Sequence, residues 1–227
     1  MPNFNPMNVI ITGSTGMVGE AVLIECLESP NVQRVLLLNR RPLQRKHHKI
    51  SEIIHADFTD FGDVHQAFLA FRPDACFHCM GVSSVGLDEA AYERLTFGVT
   101  KNLVDHIHKV NPNAVFTYVS GAGTDETERG RTMWARVKGK TENYVLNKGF
   151  RDAYAYRIGA VIPQKGVKSR TGWVNILYTL TKPFHGLLQR ADSIITSSQL
   201  GQSMIRVVEE PVEVKRLENS DIGRLAL

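Results

Sequence analysis

Val9-Ile10-Ile11-Thr12-Gly13-Ser14-Thr15-Gly16-Met17-Val18-Gly19 decides how this 227-residue chain folds. An apolar strand pattern runs into three glycines and then straight into a helical pattern. Gly13 lets the chain turn sharply after the strand, Gly16 lets bare backbone approach a pyrophosphate, and Gly19 lets the new helix pack closely on the sheet. The helix start then offers free N–H groups and a partial positive charge to phosphate oxygens. A glycine triplet gains this meaning only between a strand and a helix, and both flanks are present. Gly13, Ser14, Thr15, Gly16, Met17 and Gly19 are therefore the expected phosphate cradle.

Outward from the cradle, short β-rich runs alternate with longer helical patterns. Strands are predicted over 9–12, 35–38, 50–55, 74–79, 114–119 and 153–158, with helices over 17–28, 60–71, 87–110 and 131–147. Such βα alternation implies an α/β fold: a Rossmann-type, doubly wound parallel sheet with right-handed crossovers. The length suits one domain, 1–227, with a core over about 7–160. After Gly159 the alternation lapses at Pro163, Gly166 and Gly172, and helices are predicted over 173–188 and 197–208. The segment over about 161–227 is thus the expected small substrate cap.

Bulk properties narrow the function classes. The net charge of +4 comes from dispersed Lys and Arg, apart from the run from Arg40 to Lys49. That run lies between two predicted strands and carries no nucleic-acid recognition motif, so it reads as a phosphate-binding or solvated connector, without a nucleic-acid partner. Nothing in the sequence is apolar for long enough to span a bilayer, and 1–6 lacks a signal-peptide core, which points to a cytoplasmic chain. The apolar stripe of Trp173, Ile176, Leu177, Leu180, Leu187 and Leu188 reads as core or pocket wall rather than a membrane-surface contact. Cys26, Cys76 and Cys79 sit in apolar segments as reduced thiols. Cys76-Phe77-His78-Cys79 lacks a second half-site, and strand alternation splits its ligand types between two faces, so no metal is expected.

The end of the second strand reads Leu37-Leu38-Asn39-Arg40-Arg41. Dinucleotide folds that take NAD place a carboxylate here against the adenosine ribose hydroxyls. An acid would repel a 2′-phosphate, whereas a guanidinium pairs with it and stacks on adenine. The missing acid, with Arg40 and Arg41 in its place, favours NADP(H) as cofactor.

The GxxGxxG spacing resembles the short-chain dehydrogenase/reductase superfamily, in particular its extended and atypical branches. The likeness covers nearly the whole chain, including Arg157-Ile158-Gly159-Ala160-Val161 and Asn219-Ser220-Asp221-Ile222, and is similar to nucleoside-diphosphate-sugar epimerase-like proteins and the Tat-interacting oxidoreductase-like subgroup. The resemblance implies that Asp57 binds the adenine amino group with Phe58 packing on the ring, and that Met80-Gly81 brings backbone against the adenine-side ribose. It also implies a Tyr-x-x-x-Lys helix, whose phenol protonates the substrate while the lysine lowers the phenol pKa and holds the ribose. Here the matching helix reads Trp134-Ala135-Arg136-Val137-Lys138, so Trp134 stands where tyrosine belongs and Lys138 is retained. Indole is too weakly acidic to relay a proton near neutral pH. Tyr144-x-x-x-Lys148 has the literal spacing but falls at the helix end beside Gly149, on another face. The catalytic hydroxyl falls on Ser120, or at the place taken by Ala122, with Thr124 a third position. Two readings follow: an NADP(H)-dependent oxidoreductase acting on a small carbonyl-type substrate, or a non-catalytic NADP(H)-binding regulator or redox sensor. A sugar-nucleotide epimerase is a third, for which the post-Gly159 segment is short. The helices over 87–110 and 131–147 resemble those of the superfamily's homodimer interface.

Overall fold

The structure, a computed structural model, describes residues 6–167 and 194–226. The helix predicted over 173–188 lies outside them. The chain opens β1 (Met7–Thr12), α1 (Met17–Glu28), β2 (Val32–Asn39), β3 (Ile50–Ile54), α2 (His65–Phe71) and β4 (Ala75–His78). It continues α3 (Glu89–Glu93), a π-helical turn (Arg94–Gly98), α4 (Val99–Val110), β5 (Val115–Val119), α5 (Met133–Leu146) and β6 (Asp152–Arg157). Last come β7 (Ala160–Ile162), β8 (Ile194–Thr196), α6 (Ser197–Glu209), β9 (Arg216–Glu218) and α7 (Asn219–Leu225). Seven strands form one sheet in the order β3-β2-β1-β4-β5-β6-β9, and every pairing is parallel.

Alternation along the strands divides the core into two layers. Val9, Ile11, Leu37 and Phe77 pack with Val22 and Leu23 of α1 and Leu200, Met204 and Val207 of α6. Ile10, Leu36, Leu38, Cys76 and Phe116 face the other way, toward Phe68 of α2, Leu103 and Ile107 of α4, and Val145 of α5. Apolar residues on both faces make these strands near-continuous hydrophobic runs, as a sheet covered on both sides requires. His78 lies within the second layer's side, where Thr12 Oγ1 is 2.7 Å from its Nδ1 and Thr100 Oγ1 is 3.0 Å from its Nε2. Burial drives its pKa down to about 3, so the ring is neutral.

The expected cap segment divides in two. β7 and β8 pair in a separate two-stranded sheet. α6, β9 and α7 instead belong to the main layers: Thr196 starts α6 with a capping box, Met204 and Leu217 are core residues, and β9 extends the sheet beside β6. The helix predicted over 87–110 is interrupted by the π turn at 94–98, an insertion that periodicity cannot register over so short a span. None of the described helices is long and apolar enough to cross a membrane.

Candidate cofactor cleft and catalytic ridge

β1 is central, with β2 on one side and β4 on the other, so the chain changes direction across the sheet at the β1/β4 boundary. Open α/β sheets bind ligands in the crevice outside the strands' carboxyl ends at such a point. A cleft of about 460 Å³ opens there, lined by Gly13, Thr15, Gly16, Leu38, Asn39, Arg40, Arg41, Ala56, Phe58, Cys79, Met80 and Gly81.

Its floor is the glycine turn. Gly13 has φ +72°, and a Cβ there would lie 2.8 Å from the Met80 nitrogen, so the backbones leaving β1 and β4 touch at this residue. A Cβ on Gly19 would lie 2.2 Å from the Gly13 carbonyl oxygen; the first turn of α1 rides directly on the turn it follows. Gly16 is the N-cap and has no side chain to satisfy the helix's first N–H groups.

The rim is set by β2 and β3. Asn39, at the end of β2, is almost wholly buried. Its Oδ1 accepts a 2.9 Å hydrogen bond from the buried Ser14 hydroxyl, and its Nδ2 donates to Glu52 Oε1 at 2.7 Å. The same Glu52 oxygen accepts from the Leu43 N–H at 2.9 Å. Asn39 thus spends its amide inside the protein, while Arg40 and Arg41 stand exposed on the cleft wall. Ser14 points to Asn39, and Met17 and Gly19, in the first turn of α1, are not among the cleft-lining residues. Phe58 lines the cleft; Asp57 is exposed, and its Oδ1 accepts from the Thr59 N–H and hydroxyl, bonds that lower its pKa. Burial pushes the Cys79 thiol up to about 12, leaving it protonated on the wall.

The second part of the site lies beyond β5 and β6. α5 presents Trp134 and Lys138, one turn apart and hence on one face, to the loop that follows β5. A methyl at Gly121 would sit 3.6 Å from Lys138 Nζ, and one at Gly123 3.7 Å from the Trp134 ring. Gly139 allows the fit, because the Asp125 carbonyl oxygen lies where its Cβ would be, 1.7 Å away. Burial lowers the Lys138 pKa, and the nearby Glu142 carboxylate opposes the shift. Ala122 stands on the same loop, which the Ile158 carbonyl holds by accepting the Ala122 N–H at 3.0 Å.

Ser120 is turned the other way. Its hydroxyl donates to Glu142 Oε1 at 2.5 Å, and Glu142, fully buried, also receives the Arg157 Nε and Nη2 groups at 2.7–3.2 Å. Thr124 closes a turn, donating to the Gly121 carbonyl at 2.7 Å. Tyr144 and Lys148 are separate from the ridge: the phenol donates to Asp105 Oδ1 at 2.5 Å, and Lys148 pairs with the same carboxylate. Burial raises the Asp105 pKa, but hydrogen bonds from Lys101, Lys148 and Tyr144 outweigh it and bring the group down to about 2. Glu52 and Glu142, which the sequence reading did not single out, are the carboxylates that organise the two halves of the site. Among the described residues no group of His, Cys, Asp and Glu could hold a metal ion.

Solved structures share the chain's fold. The Bordetella bronchiseptica enzyme WbmH in complex with NAD+ is similar with a TM-score of 0.64 at 18% identity, over 90% of this chain and 72% of that one. The UDP-glucose 4-epimerase of Thermus thermophilus in complex with NAD gives 0.66 at 16% identity, over 96% and 81%. The L-threonine dehydrogenase of Clostridium difficile gives 0.69 at 16% identity, over 94% and 75%. Comparison with curated proteins returns no match. A sequence profile matches residues 9–157, the stretch from the glycine cradle through the Arg157 that pairs with Glu142. By that match the chain belongs to the NAD dependent epimerase/dehydratase family.

Proposed function

We propose that the protein is an NADP(H)-dependent oxidoreductase acting on a small carbonyl-type substrate. The observation that carries the cofactor choice is the division of labour at the end of β2: the Asn39 amide is consumed by Ser14 and Glu52, and two arginines face the cleft. A dinucleotide fits the residues present, since Gly13 and Gly16 line the cleft with bare backbone and the wall supplies cations rather than a carboxylate. The cradle and the α1 start would hold the pyrophosphate, Arg40 and Arg41 the 2′-phosphate, Phe58, Met80 and Gly81 the adenosine end, and Lys138 the nicotinamide ribose. Bound there, NADP(H) supplies or accepts the hydride.

The proton is the chain's own task. Trp134 can orient a substrate oxygen through its N–H but cannot release that proton near neutral pH. Lys138 is the titratable group set against the Gly121–Gly123 loop, and its burial makes the ammonium a better acid than a surface lysine. We assign it both ribose binding and proton delivery to the substrate oxygen, directly or through one water.

Affinities for NADPH and NADH, measured by calorimetry, test the cofactor. The wild-type protein is expected to prefer NADPH. Loss of a guanidinium–phosphate contact is worth about 1.5–3 kcal/mol, so Arg40→Ala should weaken NADPH roughly ten- to hundredfold and leave NADH nearly unchanged. Equal losses for both cofactors, or a wild-type protein that prefers NADH, would refute the choice; a selective loss in Arg41→Ala alone would move the role to Arg41. Oxidation of NADPH with a panel of aldehydes, ketones and quinones tests the activity. Trp134 favours a second reading, a non-catalytic NADP(H)-binding regulator, because an indole takes the place of the proton donor on the ridge. Absence of turnover with every compound, combined with tight NADPH binding, selects that reading.

A further inference from the structure

Arg40 and Arg41 leave the sheet on a loop with no regular structure, exposed to solvent. A flexible arginine pair would have to be ordered on binding, at a cost that reduces the gain from the phosphate contact. Hydrogen bonds tie both ends of the loop to the protein. Glu52, on β3, places a single carboxylate oxygen between the side chain of Asn39, which precedes the arginines, and the backbone N–H of Leu43, which follows them. The two ends of the Arg40–Arg41–Pro42 segment are thereby held to one atom on a β-strand. Register brings this about: Leu37 of β2 is the partner of Glu52, which sets the carboxylate on β3 alongside the last residues of β2. Farther along, Arg45 N–H returns to the Leu43 carbonyl at 2.7 Å. Lys49 Nζ then ties the end of the loop to the Leu27 and Ser29 carbonyls at 2.9 and 2.7 Å.

We propose that Glu52 is a specificity-determining positioning residue, which clasps both ends of the arginine loop, holds the guanidinium groups over the cleft and keeps Asn39 from the ribose hydroxyls. It contacts no cofactor atom in this role and acts through Asn39 and the loop. The inference rests on the assignment of NADP(H). Because the clasp needs an acceptor rather than a charge, glutamine can replace glutamate and alanine cannot: the Gln carbonyl oxygen still accepts both N–H groups.

The test is calorimetric binding of NADPH and NADH to the wild-type protein, Arg40→Ala, Arg41→Ala, Glu52→Ala and Glu52→Gln. Glu52→Ala is expected to weaken NADPH about tenfold with NADH changed less than twofold, and Glu52→Gln to stay within twofold of wild type for both. Should Glu52→Ala fail to fold, Glu52→Asp serves in its place: one methylene shorter, it cannot reach both partners and should show the same selective loss to a lesser degree. A wild-type preference for NADH, or arginine variants without selective loss, would overturn the cofactor assignment and the clasp together. Selective loss in an arginine variant, with Glu52→Ala or Glu52→Asp harming both cofactors equally or neither, would overturn the clasp alone. A Glu52→Gln variant as impaired as Glu52→Ala would overturn it as well, since the carboxylate charge rather than the hydrogen-bond geometry would then be responsible.

Discussion

At the scale of single residues, the ridge on α5 is the most informative part of the candidate site. Trp134 and Lys138 face the Gly121–Gly123 loop, and Trp134 takes the place where the resemblance to the short-chain dehydrogenase/reductase superfamily implies a tyrosine. Trp134→Tyr should therefore create or raise NADPH-dependent reduction of a carbonyl substrate if the rest of the site is complete, by a factor of about 10²–10⁴, the usual worth of a placed general acid. A variant that folds, binds NADPH and stays at the wild-type rate would show that proton supply is not what limits the chemistry. The glycine cradle was readable from sequence because glycines between a strand and a helix have a single geometric meaning. The direction of Ser120 was not readable, since it depends on Glu142, which reaches the hydroxyl from another element. Likewise the inward turn of Asn39 depends on Ser14 and on Glu52 across a strand pairing that local pattern does not encode.

Elements set the next scale, and here buried charge and buried imidazole make measurable claims. Glu142 joins α5 to β6 through Arg157 and to β9 through Arg216, whose Nε lies 3.4 Å from the carboxylate. Arg157 also lies 3.0 Å from Glu126 and 3.7 Å from Glu218, so Glu142→Ala leaves its charge partly compensated and should cost about 1–3 kcal/mol of stability in a urea titration, less than a fully stranded buried charge would. A loss below about 1 kcal/mol would mean that Glu126, Glu218 or water takes over the donors that Arg157 gives to Glu142. His78 bridges β1, β4 and α4 as a neutral ring. Its folded pKa of about 3 lies below the ordinary value of 6.5, so the unfolded chain binds a proton there that the folded chain refuses. The stability this confers is complete above pH 6.5 and is lost as pH falls toward 3, by at most about 1.4 kcal/mol per pH unit. His78→Gln should flatten the acid limb of the stability profile by up to that slope; an unchanged limb would place the sensitivity at other groups. The longer helices before residue 160 were legible by their period and the buried strands as short apolar runs between turn residues, whereas the π turn at 94–98 was not. β9 was not, since three residues cannot display a period and only pairing with β6 defines them.

For the whole molecule, the main fact is that residues far along the chain, in α6 and α7, cover the central strands. Ile195, Leu200, Met204, Val207, Leu217 and Ile222 share a core layer with Val9 and Ile11. A chain ending at residue 210 would lose β9, α7 and the Arg216 contact with Glu142, and it is expected to give no cooperative thermal transition by circular dichroism. A sharp transition at the wild-type temperature would show that residues 211–227 are dispensable. The same arrangement governs how the protein is born. At roughly 5–20 residues per second, the interval between synthesis of β1 and of the α6 residues that shield it is on the order of 10–40 s. Through that interval only α1 covers this face of the central strands, so the layer closes after translation has passed the last residues of α6.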